Sequence, residues 1–220
     1  MDKRKNYYII TDTETANGMN APLVYNISFA IIDKRGKIYA FRSFIVREVF
    51  FGMMELMKSA YYADKIPKYL EMIDKGEIEV VSYATAKKIF REMCKEWNVK
   101  AIIAHNMRFD YLSTNTTERF LTDSRSRYFF PYGVELWDTM RMSRDTICKQ
   151  KTYKKWCEEN GFMTKQNKPK ATAEILYRYI SNNNQFIEEH MALEDILIEK
   201  EIFAHCIRQH KPMRKKCFND

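Results

Sequence analysis

The side chains with the clearest capacity for chemistry are four acids and one histidine, spread over three segments of the chain. They are Asp12, Glu14, Asp110, His190 and Asp195. Cleaving a phosphodiester in line requires stabilising both the attacking and the leaving oxygen, and two divalent ions about 3.5–4 Å apart do this. Hard ions such as Mg²⁺ take oxygen ligands, which carboxylates supply. The set therefore predicts a two-metal phosphodiester hydrolase.

The first two carboxylates lie at the end of an apolar segment, residues 7–10, which predicts a strand. Because side chains on a strand alternate between its two faces, Asp12 and Glu14 project to the same side. Two carboxylates on one face can share one metal ion. The alternative for an isolated Asp-x-Glu is a solvated acidic turn.

The third carboxylate follows a second apolar segment, residues 99–104, which predicts a strand buried on both faces. The chain then turns at His105-Asn106 and a helical pattern begins. Asp110 is therefore expected in the first turn of a helix, at the C-terminal end of the strand. The alternative is an acid that only favours the N-terminal end of the helix dipole.

The last pair, His190 and Asp195, lies in a helical pattern. Positions five apart lie about 140° around a helix, so these two side chains cannot share one face. We therefore expect His190 at or just before the helix start and Asp195 inside it. With an unperturbed pKa near about 6.5, such a histidine suits the removal of a proton from water. The alternative is a polar residue at a helix entrance. The predicted apolar stripe of this helix is Leu193, Ile196, Leu197, Phe203 and Ile207.

Three motifs together resemble those of the DEDDh class of DnaQ-like 3′–5′ exonucleases, within the RNase H-fold superfamily. The motifs are Thr11-Asp12-Thr13-Glu14-Thr15, His105-Asn106-x-x-Phe109-Asp110 and His190-x-Ala192-x-x-Asp195. The resemblance runs from Tyr7 to about Phe203. In the sister class a Tyr lies four residues before the last Asp, and here that position is Met191. The chain looks more like the stand-alone exonucleases of bacteria and phages than a polymerase proofreading region, since no polymerase-sized segment is attached.

The resemblance implies a 3′–5′ exonuclease that acts on DNA with single-stranded 3′ ends, uses two Mg²⁺ or Mn²⁺ ions and releases nucleoside monophosphates. It implies that Asp12, Glu14 and Asp195 bind the first ion. Asp12 would bridge to the second ion, with Asp110 supporting that ion directly or through water. His190 would be the general base. The implied fold is α/β and RNase H-like, a mixed central β-sheet flanked by α-helices.

Thr15 and Asn106 are the candidate substrate-binding residues, because Thr15 matches the residue beside the terminal nucleotide. Many family members continue with a Gly-containing turn directly after Glu-Thr, whereas here Ala16-Asn17 precedes Gly18. This departure leaves the 3′-end contacts open. Two alternative functions also remain open. One is an RNA or short-oligonucleotide 3′-exonuclease, and the other, in a different class, is a non-catalytic nucleic-acid-binding or polymerase-accessory protein. A binding module would not need the base His190.

Composition is consistent with one domain and a nucleic-acid partner. With 220 residues, 45% of them hydrophobic, we expect one domain over residues 1–220, with a core of about 7–209 and a basic tail of about 210–220. The 37 Lys and Arg against 29 Asp and Glu give a net charge of +8, which suits a polyanion. No segment has transmembrane length or the form of a signal peptide. We expect a cytoplasmic protein without membrane contact, and a replication or repair protein is a candidate partner.

The five cysteines are scattered, which predicts reduced thiols rather than a disulfide framework. A zinc site from His205, Cys206, His210 and Cys217 is rejected because the spacing is poor.

Outside the motifs, the pattern predicts a mixed sheet flanked by helices. The predicted strands are residues 23–32, 38–46 and 134–137, with a hairpin turn at 33–36. The predicted helices are residues 48–58, 66–75, one from Ser82 to Trp97, and one that Gly161 ends. Asp138 is expected to cap a helix rather than bind metal.

Two segments could hold a nucleic-acid strand, residues 124–132 and 61–65. The first interleaves arginines with aromatic rings, on which bases stack without sequence preference. The alternative is that Phe129 and Phe130 pack inward.

Overall fold

A central sheet organises the molecule. The computed structural model describes residues 4–16, 21–58, 63–123, 125–188 and 190–218. The strands are β1 Tyr7–Ala16, β2 Leu23–Asp33, β3 Ile38–Val46, β4 Glu79–Val81, β5 Ala101–Ala104 and β6 Glu135–Asp138. They form one sheet in the order β4-β3-β2-β1-β5-β6. β2 is antiparallel to β1 and β3, and the other neighbours are parallel. The mixed sheet is as predicted.

Helices cover both faces of this sheet. They are α1 Arg47–Phe50, α2 Met54–Lys58, α3 Ile66–Asp74, α4 Tyr83–Glu96, α5 Met107–Leu121, α6 Thr139–Asp145, α7 Lys151–Glu159, α8 Ala173–Ser181 and α9 Ala192–Arg208. The single helix expected over residues 48–58 is wrong, because the chain turns between α1 and α2. A Cβ at Gly52 in this turn would collide with the Glu48 carbonyl. The sequence patterns did not predict the short strand β4 or the helix α8.

Alternation along β1 divides the core into two apolar clusters. Tyr7 and Ile9 lie in one cluster, together with residues of α4 and α5. Tyr8 and Ile10 lie in the other cluster, with residues of α9. All four side chains are buried, and each such burial contributes about 1.5–3 kcal/mol. The two acids that continue the even-numbered face of β1 therefore project to the side that α9 covers.

The apolar face of α9 differs in part from the predicted stripe. Ile196 and Phe203 are buried as expected, but Leu197 is 44% exposed. Ile198 and Ile202 are buried instead. The prediction for Leu197 was wrong because the face that meets the sheet is rotated relative to the chosen stripe.

The basic tail packs on the edge of the sheet over its described residues. The Asp138 amide donates to the Lys215 carbonyl, and the Cys217 amide donates to the Leu136 carbonyl. The Arg214 guanidinium pairs with both carboxylate oxygens of Asp145. These bonds cover the edge strand β6, which would otherwise present unpaired backbone groups.

Two further expectations concern thiols and membranes. The five cysteines are free thiols, as predicted. Within the described ranges, no helix combines the length and the apolar character that crossing a bilayer requires.

Replacing Phe29 by Ala tests the first apolar cluster. The Phe29 ring is buried between those of Phe44 and Phe90, at centroid distances of 5.8 and 5.0 Å. We expect a loss of about 3–5 kcal/mol in the free energy of unfolding, measured by denaturant titration. Phe120→Ala is the control, because this ring is 58% exposed and should cost about 0.5 kcal/mol or less. Equal losses in the two variants would contradict this account of the core.

Candidate active site

The first two acids lie where β1 extends beyond its partner β5. The parallel pairing of β1 with β5 ends at Ile10, whereas the antiparallel pairing with β2 continues past Asp12 and Glu14. One edge of β1 is therefore open at these positions. Glu14 is buried and Asp12 is half-buried.

The N-terminal end of α9 brings the histidine and the last acid to the same place. His190 precedes the helix and has a left-handed backbone, with φ +50°. Asp195 lies in the first turn and is 5% exposed. This arrangement is the one that their five-residue spacing predicted. One carboxylate oxygen each from Asp12, Glu14 and Asp195 lies within 4.8 Å of the other two.

Asp110 lies in the first turn of α5, as predicted, and is buried beside this cluster. Its Oδ1 accepts a hydrogen bond of 2.9 Å from the Thr13 hydroxyl. Asp110 is not one of the three acids with oxygens within 4.8 Å of one another, but its charge acts on Asp12. It is thus a neighbour of the cluster, with one oxygen already engaged.

Burial raises the pKa values of all four acids, and repulsion within the cluster raises those of Asp12, Glu14 and Asp195 further. Burial is the larger cause for Asp12, whose pKa lies well above its usual value, followed by the charges of Asp110 and Glu14. Burial, followed by the charge of Asp195, also raises the pKa of Glu14 well above its usual value. Burial, then the charge of Asp12, raises the pKa of Asp195 to about 9. Burial raises the pKa of Asp110 to about 7. The cluster therefore favours bound protons or a cation.

Two carboxylate oxygens of the cluster are suited to a metal ion. Asp12 Oδ2 and Asp195 Oδ1 are buried, and no hydrogen-bond donor from the described part of the chain reaches either. A buried acceptor without a donor costs about 1–3 kcal/mol, and more if charged. An all-oxygen set suits Mg²⁺ or Mn²⁺. The residues present therefore fit a divalent cation.

The structure also places three residues at this site that sequence reasoning missed. Glu199 is 3% exposed, and its pKa is raised by burial and by the nearby acids, Asp12 first. It follows Asp195 by four residues, so shared helical periodicity was an available signal. Glu188 lies close to His190 and Asp195, and Lys65 Nζ donates to the His190 carbonyl at 3.1 Å. Glu188 lies in no periodic pattern that could have revealed it. Lys65 belongs to the segment 61–65, predicted as one that could hold a nucleic-acid strand, but its contact with His190 was not predicted.

The remaining motif residues have backbone or packing contacts. His105 Nδ1 bonds with the Thr139 hydroxyl at 2.9 Å, and Nε2 bonds with the Ala171 carbonyl at 2.8 Å. The Asn106 side chain is exposed. The Asn106 backbone N–H donates to Asp138 Oδ1, and the Asp138 carboxylate also caps α6 as predicted. Thr15 is half-buried beside an irregularity in β1. Residues 17–20, with the turn discussed above, lie outside the described residues.

The arginine-aromatic segment is partly a packing element. Phe129 and Phe130 are buried, which confirms inward packing. Arg91 donates to the carbonyls of Tyr128 and Phe129, so it also fixes the segment. The Tyr128 ring is 53% exposed and stacks with Tyr111 at 6.4 Å. Ser124 and Tyr61-Tyr62 lie outside the described residues.

Comparisons with known proteins give a similarity of fold. No protein-family model and no curated protein matches this sequence. The zinc-bound complex of E. coli exonuclease I with single-stranded DNA has a TM-score of 0.55 at 14% identity, covering 94% of this chain and 41% of that one. Exonuclease I from Methylocaldum szegediense has a TM-score of 0.52 at 15% identity, covering 94% and 41%. The chain therefore shares a mixed α/β fold, a six-stranded sheet flanked by helices, with these exonuclease structures. It spans about two-fifths of the length of these structures.

The raised pKa values predict how the metal-free protein responds to pH. An unfolded Asp titrates near about 3.9, so the folded chain binds more protons between that value and the folded values of about 7 for Asp110 and about 9 for Asp195. Stability should therefore fall as pH rises through this window. In melts with chelator, wild type should lose stability between about pH 5.5 and 8. Asp110→Asn should lose less and melt higher at the upper pH, while Mg²⁺ should stabilise wild type there.

Asp123→Asn is the control for this experiment, because Asp123 is exposed and should leave the pH dependence unchanged. An Asp110→Asn variant that is equally destabilised at both pH values, with no effect of Mg²⁺ on wild type, would show that the acids do not act as one site.

Proposed function

We propose that the protein is a metal-dependent 3′–5′ exonuclease that hydrolyses DNA from single-stranded 3′ ends and releases nucleoside monophosphates. The observation that carries the proposal is the convergence of Asp12, Glu14 and Asp195, with two buried oxygens that lack a donor among the described residues. The position of His190 beside Asp195 adds a group that can accept a proton. The fold shared with exonuclease I is consistent with this chemistry.

Asp12, Glu14 and Asp195 are proposed to hold the catalytic cations, with Asp12 shared between two ions and Asp110 in support. Divalent ions bound there would stabilise charge on the attacking and leaving oxygens of the phosphodiester. Asp110 can offer its Oδ2 to an ion, because its Oδ1 already accepts a hydrogen bond from the Thr13 hydroxyl. The bond from Thr13 also fixes the orientation of this carboxylate. Glu199 interacts electrostatically with Asp12, Asp110 and Asp195, and burial followed by the charge of Asp12 raises its pKa well above the usual value.

His190 is proposed to take the proton from the attacking water. Burial, then the charge of Lys65, lowers the pKa of His190 below its usual value, so the ring is neutral and able to accept a proton near pH 7. The bond from Lys65 to the His190 carbonyl holds the backbone in its left-handed conformation. Because the ring precedes α9, it approaches Asp195 from outside the helix.

DNA is the proposed substrate on chemical grounds. The net charge of +8 suits a polyanion, and the exposed Tyr128 ring could stack on a base. The E. coli exonuclease I structure with the same fold is a complex with single-stranded DNA. Thr15 and Asn106 remain the proposed contacts to the 3′ end. Digesting labelled single-stranded DNA, duplex DNA and RNA in parallel tests this choice, and faster loss of RNA would reverse it.

Chelation should abolish nucleotide release, because the acids then lack the ions that stabilise the reacting oxygens. The measurement is the stepwise shortening of a 5′-labelled strand, with circular dichroism to show that the fold persists. Adding Mg²⁺ or Mn²⁺ should restore the activity. Ca²⁺ should support little turnover, since its larger and more irregular coordination positions the oxygens poorly. Full activity in excess chelator would exclude the proposed mechanism.

Two substitutions should separate the base from the metal ligands. His190→Ala should lower the rate by about 10²–10⁴-fold while keeping the affinity for Mg²⁺. Asp12→Ala should lower both the rate and the affinity, measured by calorimetric titration of metal. His205→Ala, in α9, should leave both the rate and the affinity unchanged. If His190→Ala and Asp12→Ala lose equal affinity, His190 is a ligand and not the base.

A further inference from the structure

A second cluster of metal-binding side chains lies at the entrance to α9. One ligand atom each from Glu188, His190 and Asp195 lies within 4.8 Å of the other two. The distance from His190 Nδ1 to the nearest oxygen of Glu188, Oε2, is 3.9 Å. The Glu188 side chain is only 11% exposed. This cluster shares Asp195 with the three-carboxylate cluster, but its other two members lie outside it.

The donor atoms of the second cluster differ in kind from those of the first. One imidazole nitrogen and two carboxylates form a set that suits Zn²⁺ and similar borderline ions, whereas Mg²⁺ prefers oxygen ligands throughout. Zn²⁺ bonds of about 2.0–2.2 Å in tetrahedral geometry place ligand atoms roughly 3.3 Å apart. The spacing from His190 Nδ1 to Glu188 Oε2 would have to close by only a fraction of an ångström. The spacing of this pair is therefore close to the one that zinc requires, and the ligand atom of Asp195 lies within 4.8 Å of both.

The residue shared by the two clusters, Asp195, has a buried oxygen that a cation would satisfy. Oδ1 of Asp195 is buried, and no donor within the described segments satisfies it. Burial, followed by the negative charge of Glu174, raises the pKa of Glu188 to about 7, so this carboxylate also lacks full compensation of its charge. An ion bound between these side chains would pair the unsatisfied oxygen and reduce the repulsion.

We propose that Glu188, His190 and Asp195 bind one Zn²⁺ ion at a site that overlaps the catalytic cluster through Asp195. Binding would use the ring nitrogen lone pair of His190 and one oxygen of Asp195. If the proposed function is correct, on which this consequence rests, zinc at this site would inhibit the enzyme by removing its base. Mg²⁺ would not do so, because it does not favour the imidazole.

Calorimetric titration of the chelator-treated full chain with Zn²⁺ tests the site without relying on activity. Glu188→Gln should weaken zinc binding by at least about tenfold, and its zinc affinity should fall by a larger factor than its Mg²⁺ affinity. Glu194→Gln is the matched control, since Glu194 neighbours Asp195 but contacts Lys68 at 3.7 Å, and zinc binding should be unchanged. Equal zinc affinity in wild type and Glu188→Gln would overturn the proposal and place the ion among Asp12, Glu14 and Asp195.

A second variant covers the case in which Glu188→Gln does not fold. His190→Ala should also lose at least about tenfold in zinc affinity, and retained affinity would overturn the proposal. In digestion assays with Mg²⁺, added Zn²⁺ should inhibit wild type and the Glu194→Gln control more strongly than Glu188→Gln. Zinc binding that depends on Glu188 in a protein without nuclease activity would support the site and reject the proposed function.

Discussion

The packing of α9 against β1 is the constraint on which the candidate site depends. Ile196 and Phe203 are buried in the same cluster as Tyr8 and Ile10, and the rings of Tyr8 and Phe203 lie 5.2 Å apart. Like charges about 4 Å apart repel by on the order of 4 kcal/mol at an effective dielectric of 20. Burial of several large side chains, at about 1.5–3 kcal/mol each, is of the same order and can hold the acids together.

The acids are held by rigid elements, and the histidine is held by a loop. β1, α5 and α9 fix the four carboxylates through the core, whereas His190 precedes α9 with a left-handed backbone. The bond from Lys65 therefore has a clear role, because it joins this loop to the entrance of α3. The same loop carries Glu188, so its conformation sets both the orientation of the base and the second cluster of ligands.

The site is more acidic than the motifs alone indicate. Glu188 and Glu199 add two carboxylates to the four predicted, and each has a raised pKa for which burial is the largest cause. Glu199 interacts electrostatically with Asp12, Asp110 and Asp195, and Glu188 lies close to His190 and Asp195. Six carboxylates repel one another more than the four predicted ones would, so a bound cation relieves more repulsion. This charge density links the proposed catalytic ions to the proposed zinc site.

The sequence alone determined the main strands and helices and the location of His190 before α9, because these follow from local periodicity. It also placed Asp12 and Glu14 on β1 and Asp110 in the first turn of α5. Tertiary structure decided which oxygens meet. Three contacts at the site join residues distant in sequence: Thr13 with Asp110, His105 with Thr139, and Lys65 with His190. Such contacts depend on how whole elements pack, and no local pattern records that geometry.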